Sequence, residues 1–168
     1  SKYGDHLPLY RQQQIFKRAD IEIAPSTIDS WVAQSGNLLV PLYDRVVEYV
    51  KNQRYLQADE TTLKVLDKDK KGDTHLGYLW VYHAVLSKLC VFDYQKGRGT
   101  DAPRQMLTGY RGALQTDGYK VYDHYCLIPE VKHLACWAHA RRYFEKALAQ
   151  DQKRASYVLT EIQKLYAI

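Results

Sequence analysis

Two aspartates stand apart from their surroundings. Asp59 interrupts LQADETTLKVLD (56–67), a run that otherwise alternates like a strand, and Asp117 ends the short apolar stretch GALQTD (112–117) just ahead of Gly118. Separated carboxylates of this kind can together hold two divalent cations about 3.5–4 Å apart, one activating a nucleophile and one stabilising the leaving oxygen of a phosphodiester. Hard oxygen ligands select Mg²⁺ or Mn²⁺. The two acids lie 58 positions apart, so only a fold that lays the strand holding Asp59 beside the strand ending at Asp117 unites them. Taken singly, Asp59 reads as a solvated strand residue and Asp117 as a turn acid. Glu60 points to the opposite face of an extended strand and reads as a surface or supporting acid.

A second cluster lies in HLACWAHARRYF (133–144). Cys136-x-x-His139 has the spacing of half a zinc site, but a structural site needs four ligands and neither Cys90 nor Cys126 has a partner at suitable spacing. Structural zinc is therefore not expected. Cys136 and Trp137 could instead pack at a strand end while His139 caps the next helix. Arg141 and Arg142 could grip phosphates, although paired arginines are more often simply solvated.

The chain that must position these groups has 168 residues, 46% of them hydrophobic and 26% charged, enough to bury one sizeable core. No apolar run approaches the roughly 20 residues that span a bilayer, and SKYGDHLPLY lacks the grammar of a signal peptide. A cytoplasmic protein without membrane attachment is expected. Three widely spaced cysteines suit reduced thiols. The formal charge of +5 is compatible with a polyanionic partner without demanding one. The 15 tyrosines can stack on bases, but packing in a sheet accounts for them better.

Residues 1–53 read as a helical, helix-turn-helix-like segment. PLYRQQQIFKRA (8–19) sets Leu9, Ile15, Phe16 and Ala19 near one face; APSTIDSWVAQSG offers Ser26 or Thr27 as N-cap and Gly36 as a stop. A third helix is expected in VPLYDRVVEYVKNQ (40–53). From Tyr55 the grammar changes to a three-stranded antiparallel meander, with KDKKGD (68–73) as a charged turn. A helix follows in TDAPRQMLTGY, capped by Thr100 or Asp101, then a buried strand GALQTD, a short helix or turn in GYKVYDHYCLI, a fifth strand in VKHLACWA, and helix from His139 onward with a break near Asp151. Residues 54–168 thus read as an α/β unit, a five-stranded mixed sheet flanked by helices in the element order of the ribonuclease H-like fold.

ADETTLKVLD, GYLWVYH, LQTDGYKVY and ACWAHARRYF, in this order, resemble the catalytic region of the insertion-sequence 66 family of bacterial transposases, of the DDE class, and HLPLYRQQQIF and STIDSWV resemble the segment preceding it. The resemblance implies a ribonuclease H-like core with the first two acids of the triad at Asp59 and Asp117. It implies Mg²⁺- or Mn²⁺-dependent hydrolysis at transposon ends followed by strand transfer into target DNA, by a homo-oligomer. It gives Cys136 and His139 a supporting role near the active site. The family's third acid, a Glu, lies beyond the equivalent of Ile168, so the core is expected to be truncated on its C-terminal side and inactive alone. Glu145 and Glu161 fall in helical stretches and are not expected to replace it. Two other readings compete: a non-catalytic nucleic-acid binding module, and a ribonuclease H-like nuclease or resolvase. Metal dependence separates the first from an enzyme; only the motifs separate the second.

Overall fold

The structure, a computed structural model, describes residues 2–67 and 72–168. It divides into two compact units, Ser1–Val46 and Val47–Ile168.

In the first unit, helix α1 (Leu9–Arg18) is followed by the start of α2 (Pro25–Lys51). Gln13 ties α1 to the intervening segment, its Nε2 donating to the Ile23 carbonyl at 3.0 Å. The α2 helix begins at Pro25 rather than behind Ser26 or Thr27, since proline at a first helical position has no N–H to waste. It also runs through Gly36 and Pro41, where the sequence predicts a stop and a new start. Between them lies Asn37-Leu-Leu-Val40, with no capping residue directly ahead of Pro41, and an interior glycine costs only about 1 kcal/mol. One long helix is the result.

The second unit is built on a five-stranded sheet: β1 (Tyr55–Leu66), β2 (Thr74–Ala84), β3 (Leu89–Gln95), β4 (Gly112–Thr116) and β5 (Val131–Ala135). Their spatial order is β3-β2-β1-β4-β5, antiparallel between β1, β2 and β3 and parallel from β1 through β4 to β5. That order and those senses are the ribonuclease H-like arrangement read from the sequence. The charged turn expected at 68–73 falls largely on residues 68–71, outside the described residues; Asp67 N–H and the Asp73 carbonyl close its base at 2.9 Å.

Alternation divides the sheet into two faces. Leu56 and Ala58 on β1, Trp80, Tyr82 and Ala84 on β2, and Leu114 and Thr116 on β4 are buried on one side. Trp80 meets Tyr122 edge-on at 6.3 Å, Tyr122 meets Tyr125, and the Tyr125 hydroxyl donates to the Pro103 carbonyl in α3 (Asp101–Met106) at 2.9 Å. Burial of these aromatic rings stabilises this face, each removing a large apolar area from water. Tyr122 and Tyr125 belong to a 3-10 segment, Lys120–Leu127, which fills the place predicted for a short helix or turn.

Parallel pairing of β1 with β4 needs a close approach at one end. Gly112 begins β4 with φ +143°, and a Cβ there would lie 2.4 Å from the Arg54 carbonyl oxygen just before β1. The neighbouring Ala113 N–H donates to that same oxygen at 2.8 Å. Only glycine allows this junction. Beyond β5, α4 (Trp137–Ala147) and α5 (Gln152–Leu165) follow, with Asp151 at the break accepting from the Arg154 N–H at 3.1 Å.

Candidate active site

The register of the sheet brings the two aspartates together. Gln57 on β1 pairs with Gln115 on β4. Asp59 and Asp117 each stand two residues further along, so parallel strands carry both carboxylates to the same face. Cys136, at the N-cap position of α4, donates its backbone N–H to the Thr116 carbonyl at 2.9 Å. This link starts α4 beside the end of β4 and delivers His139, in its first turn, to the acids. Single ligand atoms of Asp59, Asp117 and His139 all lie within 4.8 Å of one another.

Each carboxylate is aimed by one backbone donor. The Glu60 N–H lies 2.9 Å from Asp59 Oδ1, and the Tyr119 N–H lies 3.0 Å from Asp117 Oδ1. Asp59 Oδ2 faces His139 Nε2 at 3.7 Å. His139 Nδ1 is buried with no hydrogen-bond partner, so the ring's polar reach is through Nε2. The three groups line a cavity of about 220 Å³ with Gln57, Val81, His83 and Gln115. Asp59 is exposed, Asp117 and His139 half-buried.

The floor of this cavity is a polar network that the sequence did not suggest. Gln115 Oε1 accepts from the Tyr55 hydroxyl at 2.6 Å and from Gln57 Nε2 at 2.7 Å, while Gln57 Oε1 lies 3.1 Å from His83 Nδ1. With both Gln57 amide atoms engaged, the side chains flanking the acids are held by fixed partners. Behind the site, Thr116 Oγ1 donates to the Asp117 carbonyl at 2.8 Å and therefore accepts from His133 Nε2, 2.7 Å away. His133 Nδ1 is then an acceptor for Cys126 Sγ at 2.9 Å. All three cysteines are free.

Other residues singled out by their sequence divide between this cavity and the α4–α5 face. Cys136 borders the cavity. His139 does not cap α4, whose N-cap position is Cys136 and carries no side-chain cap bond. Arg141 and Arg142 line a separate groove between α4 and α5, together with Ser156, Thr160 and Gln163. Arg141 pairs with Glu145 at 2.9 Å, and Glu161 with Lys164 at 2.7 Å, so neither glutamate joins the acids.

Glu60 is the residue that sequence reasoning undervalued. Its side chain does point away from Asp59, but it is 3% exposed rather than solvated, and it pairs with Arg98. Burial pushes its carboxyl above the ordinary value of 4.5, with Arg98 opposing and Asp117 and Asp59 adding to the rise. The same pair raises the Arg98 pKa. Attraction is therefore present but does not fully repay the desolvation of Glu60. The available signal was the arginine in GRGT (97–100), whose distance from Glu60 in sequence hid the pairing.

The fold is a ribonuclease H-like sheet that brings two aspartates, one on β1 and one just past the end of β4, and a histidine to one cavity. The whole chain, residues 1–168, matches the Transposase IS66 family, and the protein belongs to that family. Curated relatives include the uncharacterized protein y4qI of Sinorhizobium fredii (strain NBRC 101917 / NGR234), 34% identical over 98% of this chain and 34% of its own length. Another, the uncharacterized protein y4jD of the same strain, is 31% identical over 86% of this chain and 30% of its own. The chain thus spans about a third of the length of these relatives. Among solved structures, the HTLV-2 integrase catalytic core domain in complex with magnesium aligns over 66% of this chain and 83% of its own, at 14% identity and a TM-score of 0.38. The fold assignment rests on the strand order itself. No helix among the described residues is long and apolar enough to cross a membrane.

Proposed function

We infer that this chain is the metal-binding part of a DDE transposase core, acting on DNA phosphodiesters at transposon ends and transferring the freed strand to target DNA. The observation that carries the reading is the convergence of Asp59, Asp117 and His139 within 4.8 Å. Ligand atoms around a single ion at about 2.1 Å lie roughly 3–4 Å apart, so this donor set needs only small adjustments to fit one cation. Two carboxylates favour Mg²⁺ or Mn²⁺, and the imidazole favours Mn²⁺ of the two. A bound divalent ion would polarise a phosphoryl oxygen and favour deprotonation of an attacking water or 3′-hydroxyl.

The residues of the chain supply orientation. Backbone donors at Glu60 and Tyr119 hold one oxygen of each aspartate and leave the other toward the cavity. His139, through Nε2, shares the space in front of Asp59. Two like charges brought this close without a cation repel, which a protein of purely structural role has no reason to tolerate. Arg141 and Arg142, on the first helix beyond the acids, are the proposed contacts to the DNA backbone. A second ion needs further oxygen ligands, which neither Glu145 nor Glu161 supplies, and which we assign to a third acid outside this cluster. The working form is a homo-oligomer on paired ends.

The test is a Mn²⁺ titration followed by paramagnetic broadening of backbone amide signals. One weak site centred on residues 59, 117 and 139 is expected, absent in Asp59→Ala, with no DNA cleavage by this chain alone. Uniform, weak broadening with no focus on those residues overturns the metal-site reading and leaves a DNA-binding module. Metal-dependent nicking by the chain, lost in Asp59→Ala, would mean that the third acid is already present.

A further inference from the structure

The two backbone donors that aim the carboxylates belong to Glu60 and Tyr119, and the side chains of these same two residues meet at one guanidinium. Arg98 Nε donates to Glu60 Oε1 at 2.8 Å, and Arg98 Nη2 donates to the same oxygen. The guanidinium lies over the Tyr119 ring, 3.9 Å from its centroid. The Tyr119 hydroxyl donates back to the Arg98 carbonyl at 2.9 Å. Arg98 itself sits between β3 and α3 in KGRGTD (96–101), flanked by Gly97 and Gly99, and has no secondary-structure element of its own to hold it.

We propose that Arg98 is a positioning residue that sets the spacing and aim of the Asp59 and Asp117 carboxylates through Glu60 and Tyr119. Glu60 follows Asp59 on β1, and Tyr119 lies two residues beyond Asp117 in the turn after β4. Fixing both to one planar group couples the middle of β1 to the turn after β4, just beyond the point where their ladder stops, since β1 pairs with β4 only over Tyr55–Gln57. Without that coupling the Asp117-Gly118-Tyr119 turn keeps only local bonds, the Asx bond and those from Thr116 Oγ1 to the Asp117 carbonyl and from the Tyr122 N–H to the Tyr119 carbonyl, none of which reaches β1. Arginine suits the role because one face can stack on an aromatic ring while its edge donates to a carboxylate; lysine offers only a point charge. Glu60 is then an anchor for Arg98 and not a ligand, which accounts for a carboxylate placed beside Asp59 on the wrong face of the strand.

The inference rests on the metal-site reading above, and the test separates the two. A merely structural pair would matter only because Arg98 neutralises Glu60. Glu60→Gln removes that charge and keeps an amide oxygen for Arg98, whereas the double variant Glu60→Gln/Arg98→Met removes both charge and coupling. The double variant is expected to bind Mn²⁺ about tenfold more weakly than Glu60→Gln, the scale seen when a group orienting a metal ligand is lost. Hydrogen exchange at the amides of positions 60 and 119 should accelerate in the double variant, with far-UV circular dichroism unchanged. Arg98→Lys in the Glu60→Gln background should resemble the double variant. Equal Mn²⁺ affinity in Glu60→Gln and the double variant overturns the proposal. If neither the parent chain nor Glu60→Gln binds Mn²⁺, the metal-site reading falls, and exchange alone decides: unchanged protection at position 119 in the double variant overturns the coupling as well.

Discussion

Asp59 and Glu60 are adjacent, carry the same charge and belong to the same strand, yet the two faces of the sheet give them opposite surroundings. Asp59 stands exposed on a face of half-buried polar groups, across from a second carboxylate and an imidazole. Glu60 lies on the face that holds Trp80, Tyr82 and Leu114, with its side chain 3% exposed and an arginine to neutralise it. One face keeps negative charge concentrated and reachable, an arrangement that costs stability unless a cation offsets it. The other face buries aromatic area and pairs its buried carboxylate with an arginine. The difference shows that one strand can hold two adjacent carboxylates in opposite environments, because its side chains alternate with period two.

The sharpest way to break that comparison is to neutralise an acid on the polar face. Asp117→Asn should abolish the focused Mn²⁺ site and leave the melting temperature unchanged or slightly raised, since it relieves repulsion from Asp59. A large fall in melting temperature would show that Asp117 is structural. Next in size is the packed face. Trp80→Ala should destabilise the fold by about 3–5 kcal/mol in urea unfolding, through lost burial and the cavity left beside Tyr122. A cost under about 1 kcal/mol would mean that this face is not the core.

The smallest effect concerns pH and Glu60. Its carboxyl is raised above 4.5 in the folded protein, so the folded state holds that proton more tightly than the unfolded chain does. Stability contributed by this group is present at low pH and declines as pH rises through the raised value. Thermal melts from about pH 3 to about pH 8 should therefore show the parent chain losing ground to Glu60→Gln as pH rises, then running parallel. The opposite slope would mean that Arg98 outweighs burial.

Much of this was legible in the chain itself. Strand grammar from Tyr55, the DG turn after GALQT and the helical stretch after ACWA sufficed for the order of elements, because hydrophobic period and turn chemistry are local properties. The motif strings singled out Asp59, Asp117 and His139. Local signals also misled: Gly36 and Pro41 read as a break, but no capping residue stands directly ahead of Pro41 and α2 continued through both. What only the tertiary structure decided was partnership at long range. The stagger of β1 against β4, set where Gly112 meets Arg54, determines that Asp59 faces Asp117. The pairing of Glu60 with Arg98, 38 positions apart, has no period or spacing to announce it, since a contact closed by a whole intervening hairpin leaves no trace in either residue's neighbours.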